Sequence, residues 1–496
     1  MNSTHKRENL VYCLFLAFTC PSFGQDLSYD FQPARNFKPS VQLIDEYITR
    51  FSAWGDKGIT STSKVKATFK KFIEQKTEFI IALDSLGILI YGDSMSNLLE
   101  RIKDKIAAGN PNLKREEIRI FIYRSLEPNA FSLGEGLLLV STGLLARMPH
   151  VDQVAFVLSH ELAHDAMRHV YSNLQRISES LHDERLKKSF QKASRKKEGR
   201  NTQINNFVTN FIAIHMAYSQ QNEFDADSIG LVYFQNAGFP ISGAVDALRV
   251  LDSADYLLYE DTLDLRHYFN FSEYPFKSYW LDTENSALHW EKDTLLFVIP
   301  DSLKSHPDCD ERIQRIRNFS TTSMAAALDV STEELAMDRL KDVFRFESLE
   351  SQIMSRDYVM ALYLSLQFQT QFSENIYLKS VTTHALIELA AAFSRNEFLE
   401  YVEFADRDYP AGYNQMLTFL HNMNSSTLYK LASYCLQEKL ASVSDHAYIG
   451  FLKVLNDNRD GITEDIVSLY AQQYRDEYFI DILKAKTEFQ MPAPKK

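Results

Sequence analysis

Val154-Ala155-Phe156-Val157-Leu158-Ser159-His160-Glu161-Leu162-Ala163-His164-Asp165-Ala166-Met167 is the stretch on which the reading of this chain turns. His160 and His164 are four residues apart, so on a helix their imidazoles stack on one face, one turn apart, where both can bind a single Zn²⁺. Glu161 projects beside that position, where a carboxylate can take a proton from a metal-activated water. The residues before His160 are apolar on most faces, the pattern of a buried central helix, expected from about residue 150 to Val170.

Two imidazoles and a water do not complete a hydrolytic zinc site, which holds three protein ligands and keeps one position open. His169, nine residues after His160, falls half a turn out of phase on a continuous helix and is expected to face away as a structural or surface histidine. Glu223, in Asn222-Glu223-Phe224-Asp225-Ala226-Asp227, is the better third ligand. Glu223 and Asp227 are four residues apart on a predicted helix and point the same way. One can bind the metal while the other accepts the outer N–H of a ligating imidazole.

Upstream, Lys64 to Phe79 has a helical pattern, Gly87 to Gly92 reads as a short strand, and Ser94 to Ala108 as a helix after Asp93. Ile118 to Tyr123 and Leu137 to Val140, the latter approached through Gly134 and Gly136, are β-rich runs. A small sheet therefore precedes the metal helix. Residues 25–63 show no clear period and read as a leader arm. The aromatic-rich, irregular stretch from about 250 to 300 reads as an insertion near the catalytic face. From 325 to 496 the pattern is that of stacked helices. Ser331-Thr332-Glu333-Glu334 opens them as a capping box, and Asp357 to Leu362 with Asn375 and Leu378 resembles one tetratricopeptide pair. Later helices (413–422, 426–440, 446–455, 463–474) do not keep a 34-residue period, so repeats and an irregular helical domain both remain open.

The chain has 496 residues, more than one typical core, with an ordinary globular composition. Its net charge of −13 argues against a nucleic-acid binder. The basic run from Arg185 to Arg200 is interrupted by polar residues and reads as a solvated face. Residues 1–24 look like a secretory signal: Lys6 and Arg7, then an apolar stretch from Leu10 to Phe18, then Ser22-Phe23-Gly24 with small residues at the cleavage positions. Cys20 offers a lipid-attachment alternative, although Ala17-Phe18-Thr19-Cys20 fits that motif poorly. No other segment reaches membrane-spanning length. Beyond the signal lie only Cys309 and Cys435, which allow either a disulfide or two separate thiols.

His160-Glu161-x-x-His164, with Glu223-x-x-Ala226-Asp227 downstream, resembles the gluzincin metallopeptidases that include HtpX and the CAAX prenyl endopeptidase. Further elements are similar in the same order: Asn129 to Gly136 followed by Val140 to Leu145, Ser159 to His164 through Arg168-His169, and Ser305 to Ile313 (SHPDCDERI). The resemblance covers roughly residues 75 to 320. It implies a zincin-like peptidase domain with a small edge-stranded sheet, so the chain reads as α+β and mostly helical: that domain over 25–324, then the all-α region 325–496 given by its helical pattern. It implies one Zn²⁺ held by His160, His164 and Glu223, with Glu161 as general base and Asp227 supporting a ligand. It also implies that Gly136, Leu137, Leu138 and Leu139 form a sheet edge on which an extended peptide pairs. His306 would approach the metal, as an oxyanion contact or an inhibitory ligand, and Arg312 would anchor its segment by an ion pair.

The chain departs from those two relatives in lacking membrane helices and in its long stretch between Gly238 and His306. The export signal and helical C-terminal region are closer to a soluble, BepA-like branch. The expectation is an exported, periplasmic or secreted zinc endopeptidase for unfolded or misassembled envelope proteins, with an envelope complex as a partner of the C-terminal helices. The alternative is a latent or non-hydrolytic assembly factor acting through those helices.

Overall fold

A computed structural model describes residues 26–34, 41–57, 59–92, 94–182, 220–252, 263–282, 309–319, 332–406, 409–443 and 445–488. The signal-like residues 1–24, the basic run 185–200 and His306 lie outside these described residues.

Four strands form one sheet: β1 (Leu89–Ile90), β2 (Arg119–Tyr123), β3 (Ala130–Gly134) and β4 (Leu137–Ser141), in the order β1-β2-β4-β3. β2 and β4 run parallel, with Arg119 opposite Leu137 and Tyr123 opposite Ser141, while β1 and β3 are antiparallel to their neighbours. The strands are apolar at consecutive positions because both faces of the sheet are covered. Ile120, Ile122, Leu138 and Val140 face the core that holds the metal helix, and Phe121, Tyr123, Leu137 and Leu139 enter a second core behind the sheet.

The expectation that Gly136-Leu137-Leu138-Leu139 forms the sheet edge is corrected here. β4 is interior, paired on both sides, and among the described residues the edge on its side of the sheet is β3. Gly134, Glu135 and Gly136 all take positive φ (89°, 54° and 79°) and fold β3 back onto β4, covering the side that would otherwise be open. A Cβ on Gly136 would lie 2.3 Å from the Glu117 carbonyl oxygen, so only glycine fits this turn.

The helices of the N-terminal part are α1 (Val41–Lys57), α2 (Ser63–Ser85), α3 (Ser94–Gly109), α4 (Thr142–Arg147), α5 (Val151–Ala166), α6 (His169–Ser180), α7 (Gln220–Asn236), α8 (Ile241–Asp252), the short α9 (Leu265–Phe269) and α10 (Cys309–Phe319). α5 is the central one, packed against β3 on one side and against α3, α7 and α8 on others. The leader region is not the aperiodic arm its composition suggests. Tyr47, Phe51 and Trp54 recur at i, i+4 and i+7 on α1 and are buried behind the sheet with α2 and α6. Trp54 and Arg50 hold the β3–β4 turn: the indole donates to the Glu135 carboxylate, and the guanidinium donates to the Glu135 carbonyl at 3.0 Å.

The C-terminal helices are α11 (Thr332–Met354), α12 (Tyr358–Gln369), α13 (Ile376–Ser394), α14 (Phe398–Tyr401), α15 (Ala411–His421), α16 (Ser425–Tyr434), α17 (Ala447–Asp457), α18 (Glu464–Tyr474) and α19 (Glu477–Glu488). In a solenoid each repeat touches only its neighbours. Here the long, almost wholly buried α13 is a hub contacted by α12, α16 and α17, so this region is an irregular bundle around one helix. Cys435 is buried among these helices and Cys309 is half-buried, and the two are not joined in a disulfide.

The two parts share one continuous apolar core. Phe31, from the leader, packs its ring on Phe346 and Tyr377. Glu347 on α11 accepts from the Ala34 amide (2.6 Å) and from Arg124 Nε (2.7 Å), and Arg124 also donates to the Gly87 carbonyl (2.5 Å). The described piece of the aromatic-rich stretch, 263–282, packs into the C-terminal bundle: Phe269 and Phe276 stack on Phe419, Tyr274 stacks on Tyr434, and Asn422 donates to the Trp280 and Asp282 carbonyls. Among the described residues no helix is long and apolar enough to cross a membrane.

Candidate metal centre and active site

The metal helix starts under outside control. Glu334, which the sequence casts as the far end of a capping box, reaches from α11 to the first turn of α5, accepting from Val151 N (3.1 Å) and contacting His150 Nδ1 (2.8 Å). A carboxylate at a helix N-terminus satisfies an orphan amide and complements the dipole. At its other end α5 stops at Ala166, with Arg168 in the left-handed region (φ 56°).

His160 and His164 face each other from successive turns, their Nε2 atoms 3.0 Å apart. Glu223, on the first turn of α7, closes the triangle: Oε2 lies 3.5 Å from His160 Nε2, and Oε1 lies 3.5 Å from His164 Nε2. α7 comes this close because Gly230, seven residues beyond Glu223, sits against α5. A Cβ there would meet His160 Cα at 2.9 Å.

These separations fit a tetrahedral Zn²⁺, whose bonds of about 2.0–2.1 Å make ligand–ligand edges of roughly 3.3 Å. The three residues offer ligand atoms within 4.8 Å of one another, and all three are buried. The local charge also suits a cation. Burial works against a charged His160, but its contacts with Asp227 and Glu223 overcome this and push it up to about 10.

Around the triangle each group is held. His160 Nδ1 lies 3.0 Å from Asp227 Oδ1, which leaves Nε2 for the metal. Asp227 in turn receives a two-pronged grip from Arg312 on α10, Nε to Oδ2 at 2.8 Å and Nη2 to Oδ1 at 2.7 Å. Burial would raise the Asp227 carboxyl, yet the Arg312 guanidinium and His160 hold it down at about 2. The ion pair expected of Arg312 is thus made, with Asp227 as its partner. Glu161 Oε2 accepts from the Ser132 amide of β3 at 2.9 Å, so the carboxylate is fixed to the edge strand itself. Asp165 Oδ2 accepts from the Gly136 amide (3.0 Å) and ties the β3–β4 turn to the same helix. Burial pushes the Asp165 carboxyl up to about 6.

The expectation that His169 faces away is corrected. The helix is not continuous: the reversal at Arg168 throws His169 back, and its Nδ1 lies 2.9 Å from His164 Nδ1. Burial keeps this imidazole below its ordinary pKa. Ser132, Asp165 and Gly230 were not singled out from the sequence. For Gly230 a signal existed, a residue without a side chain at i+7 from Glu223 on the ligand face of α7.

A helix presenting His-Glu-x-x-His, a second helix supplying a glutamate, and an edge strand bonded to the glutamate of the first define the gluzincin class of zinc metalloendopeptidase domains. Residues 95–320 match the model of peptidase family M48, and this part of the chain is an M48 peptidase domain. The chain is also similar to the mitochondrial metalloendopeptidase OMA1 of Schizosaccharomyces pombe, 28% identical over 174 residues. The alignment takes in 33% of this chain and 48% of the yeast protein, so the chain spans about half the length of that curated relative. M48 metallopeptidases are zinc-dependent.

Proposed function

We propose that the protein is an exported zinc endopeptidase that cleaves polypeptides able to present an extended segment, such as unfolded or misassembled envelope proteins. The observation that carries this reading is the convergence of His160, His164 and Glu223 beside Glu161, with Glu161 bonded to the open edge of the sheet. His160, His164 and Glu223 would hold one zinc ion, which when bound supplies a nucleophile from water at neutral pH and polarises the scissile carbonyl. Glu161 takes the proton of the attacking water and delivers it to the leaving amine. β3 receives the substrate main chain by strand addition, a mode that selects for extended backbone rather than for a particular side chain. Asp227 keeps the His160 imidazole oriented.

Export is supported by the charge, apolar and small-residue pattern of residues 1–24. The helices from 325 to 496 would recruit substrates or an envelope complex.

The test is cleavage of a casein-type disordered protein by purified wild type and Glu161→Gln, with zinc measured on both. Wild type should cut, and Glu161→Gln should hold equal zinc and not cut. Zinc-loaded wild type without cleavage would favour the assembly-factor alternative, and turnover by Glu161→Gln would remove Glu161 from the mechanism.

A further inference from the structure

The two imidazoles of the site are held by different chemistry. His160 leans on a carboxylate, Asp227, whose charge is matched by Arg312. His164 leans on another imidazole: the Nδ1 atoms of His164 and His169 are 2.9 Å apart, with ring centroids 5.0 Å apart and planes at 72°. One proton lies between those two nitrogens. If His164 offers a lone pair at Nε2, its proton is on Nδ1, and His169 has to be the acceptor. His169 then carries its own proton at Nε2.

We propose that His169 is a positioning residue for the second metal ligand, a neutral acceptor that sets the tautomer and ring plane of His164. This rests on the reading of His160, His164 and Glu223 as zinc ligands. The backbone is built for the contact. On an unbroken helix a residue five positions on is rotated by about 140° from His164 and cannot reach it. The left-handed Arg168 ends α5 and starts α6 at His169, and the Arg168 guanidinium stacks over Tyr171, 4.7 Å from the ring centroid.

A neutral partner has an electrostatic consequence. The Asp227 charge is offset by Arg312, and Glu223 already brings a carboxylate to the site. A carboxylate in place of His169 would add a further anion and would weaken the electrophilic character of the bound ion. An imidazole fixes orientation without that cost.

The experiment is zinc competition against a chromophoric chelator, on the full chain, for wild type, His169→Phe and His169→Asn. Phenylalanine keeps the ring and loses the acceptor, whereas the asparagine Oδ1 can occupy the place of Nδ1. Loss of such a partner costs about 10- to 100-fold in metal affinity, so His169→Phe should weaken by that much and His169→Asn by about threefold or less. Should His169→Phe fail to fold, nitrogen NMR of histidine-labelled wild type decides, with the His164 proton expected on Nδ1. His169→Phe binding as tightly as wild type, His169→Asn falling with it, or a His164 proton on Nε2 overturns this inference alone. Wild type that takes up no zinc overturns the metallopeptidase reading and this inference together.

Discussion

Arg312 and Asp227 form a buried, two-pronged ion pair between α10 and α7, eighty-five residues apart in sequence, and Asp227 passes the restraint on to His160. The candidate metal site is therefore oriented from a helix that supplies none of its three candidate ligands. Breaking a buried pair by removing one partner costs about 3–5 kcal/mol because the other charge stays buried. Arg312→Ala should lose stability on that scale and lower zinc affinity. Arg312→Lys, which cannot reproduce the fork, should recover only part of either. Thermal unfolding of the zinc-free protein and chelator competition measure the two effects separately.

Gly230 sets the distance between the ligand helices. Gly230→Val would place a branched side chain where even a Cβ lies 2.9 Å from His160 Cα. α7 should move away from α5, taking Glu223 out of reach of the two imidazoles. The expected result is a folded protein with zinc affinity reduced by at least about tenfold. Circular dichroism together with zinc stoichiometry checks it, and a fully loaded Gly230→Val protein would contradict the close-approach argument.

Glu347 is bonded by the leader amide of Ala34 and by Arg124, and both side chains of the ion pair are all but inaccessible to solvent. Arg124→Met should destabilise the whole chain by about 3–5 kcal/mol, because Glu347 is left charged and buried. Replacing both residues by apolar ones should restore much of that loss. Denaturant melts of the single and double variants would show whether the two parts unfold in one transition, as a shared core requires.

Asp357 caps α12 by accepting from Met360 N at 3.1 Å, and burial pushes its carboxyl up to about 6. A native pKa above the unfolded value means the folded chain binds more protons between about pH 4 and 6. This group's contribution is therefore full below about pH 4 and is lost as pH rises through 6. Asp357→Asn keeps the cap without the charge. It should flatten the pH dependence across that window and stabilise the protein above pH 7 by about 1–2 kcal/mol. Melting temperatures from pH 4 to 8 test the sign as well as the size.

Much of the candidate site's geometry is legible in the sequence because it depends on local spacing. The i, i+4 pairs His160/His164 and Glu223/Asp227 share a face wherever they are helical, and the structure brings those faces together. What escaped depends on where the backbone departs from regularity. Helical phase places His169 wrongly because the helix ends before reaching it. β4 reads as an edge because its glycine-rich approach gives no sign that the preceding segment is itself a strand turned back by three left-handed residues. The leader helix is hidden in the sequence because Tyr47, Phe51 and Trp54 lie among charged and polar neighbours that dilute their period.

Phe31 packs its ring against Phe346 and Tyr377, and the Ile376 amide donates to the Tyr29 carbonyl. These early residues thus wait for a scaffold made more than three hundred positions later. A nascent chain cannot close its central core until those late helices have emerged. In a peptidase of the proposed kind, the order of synthesis would then delay competence until those late helices have been made.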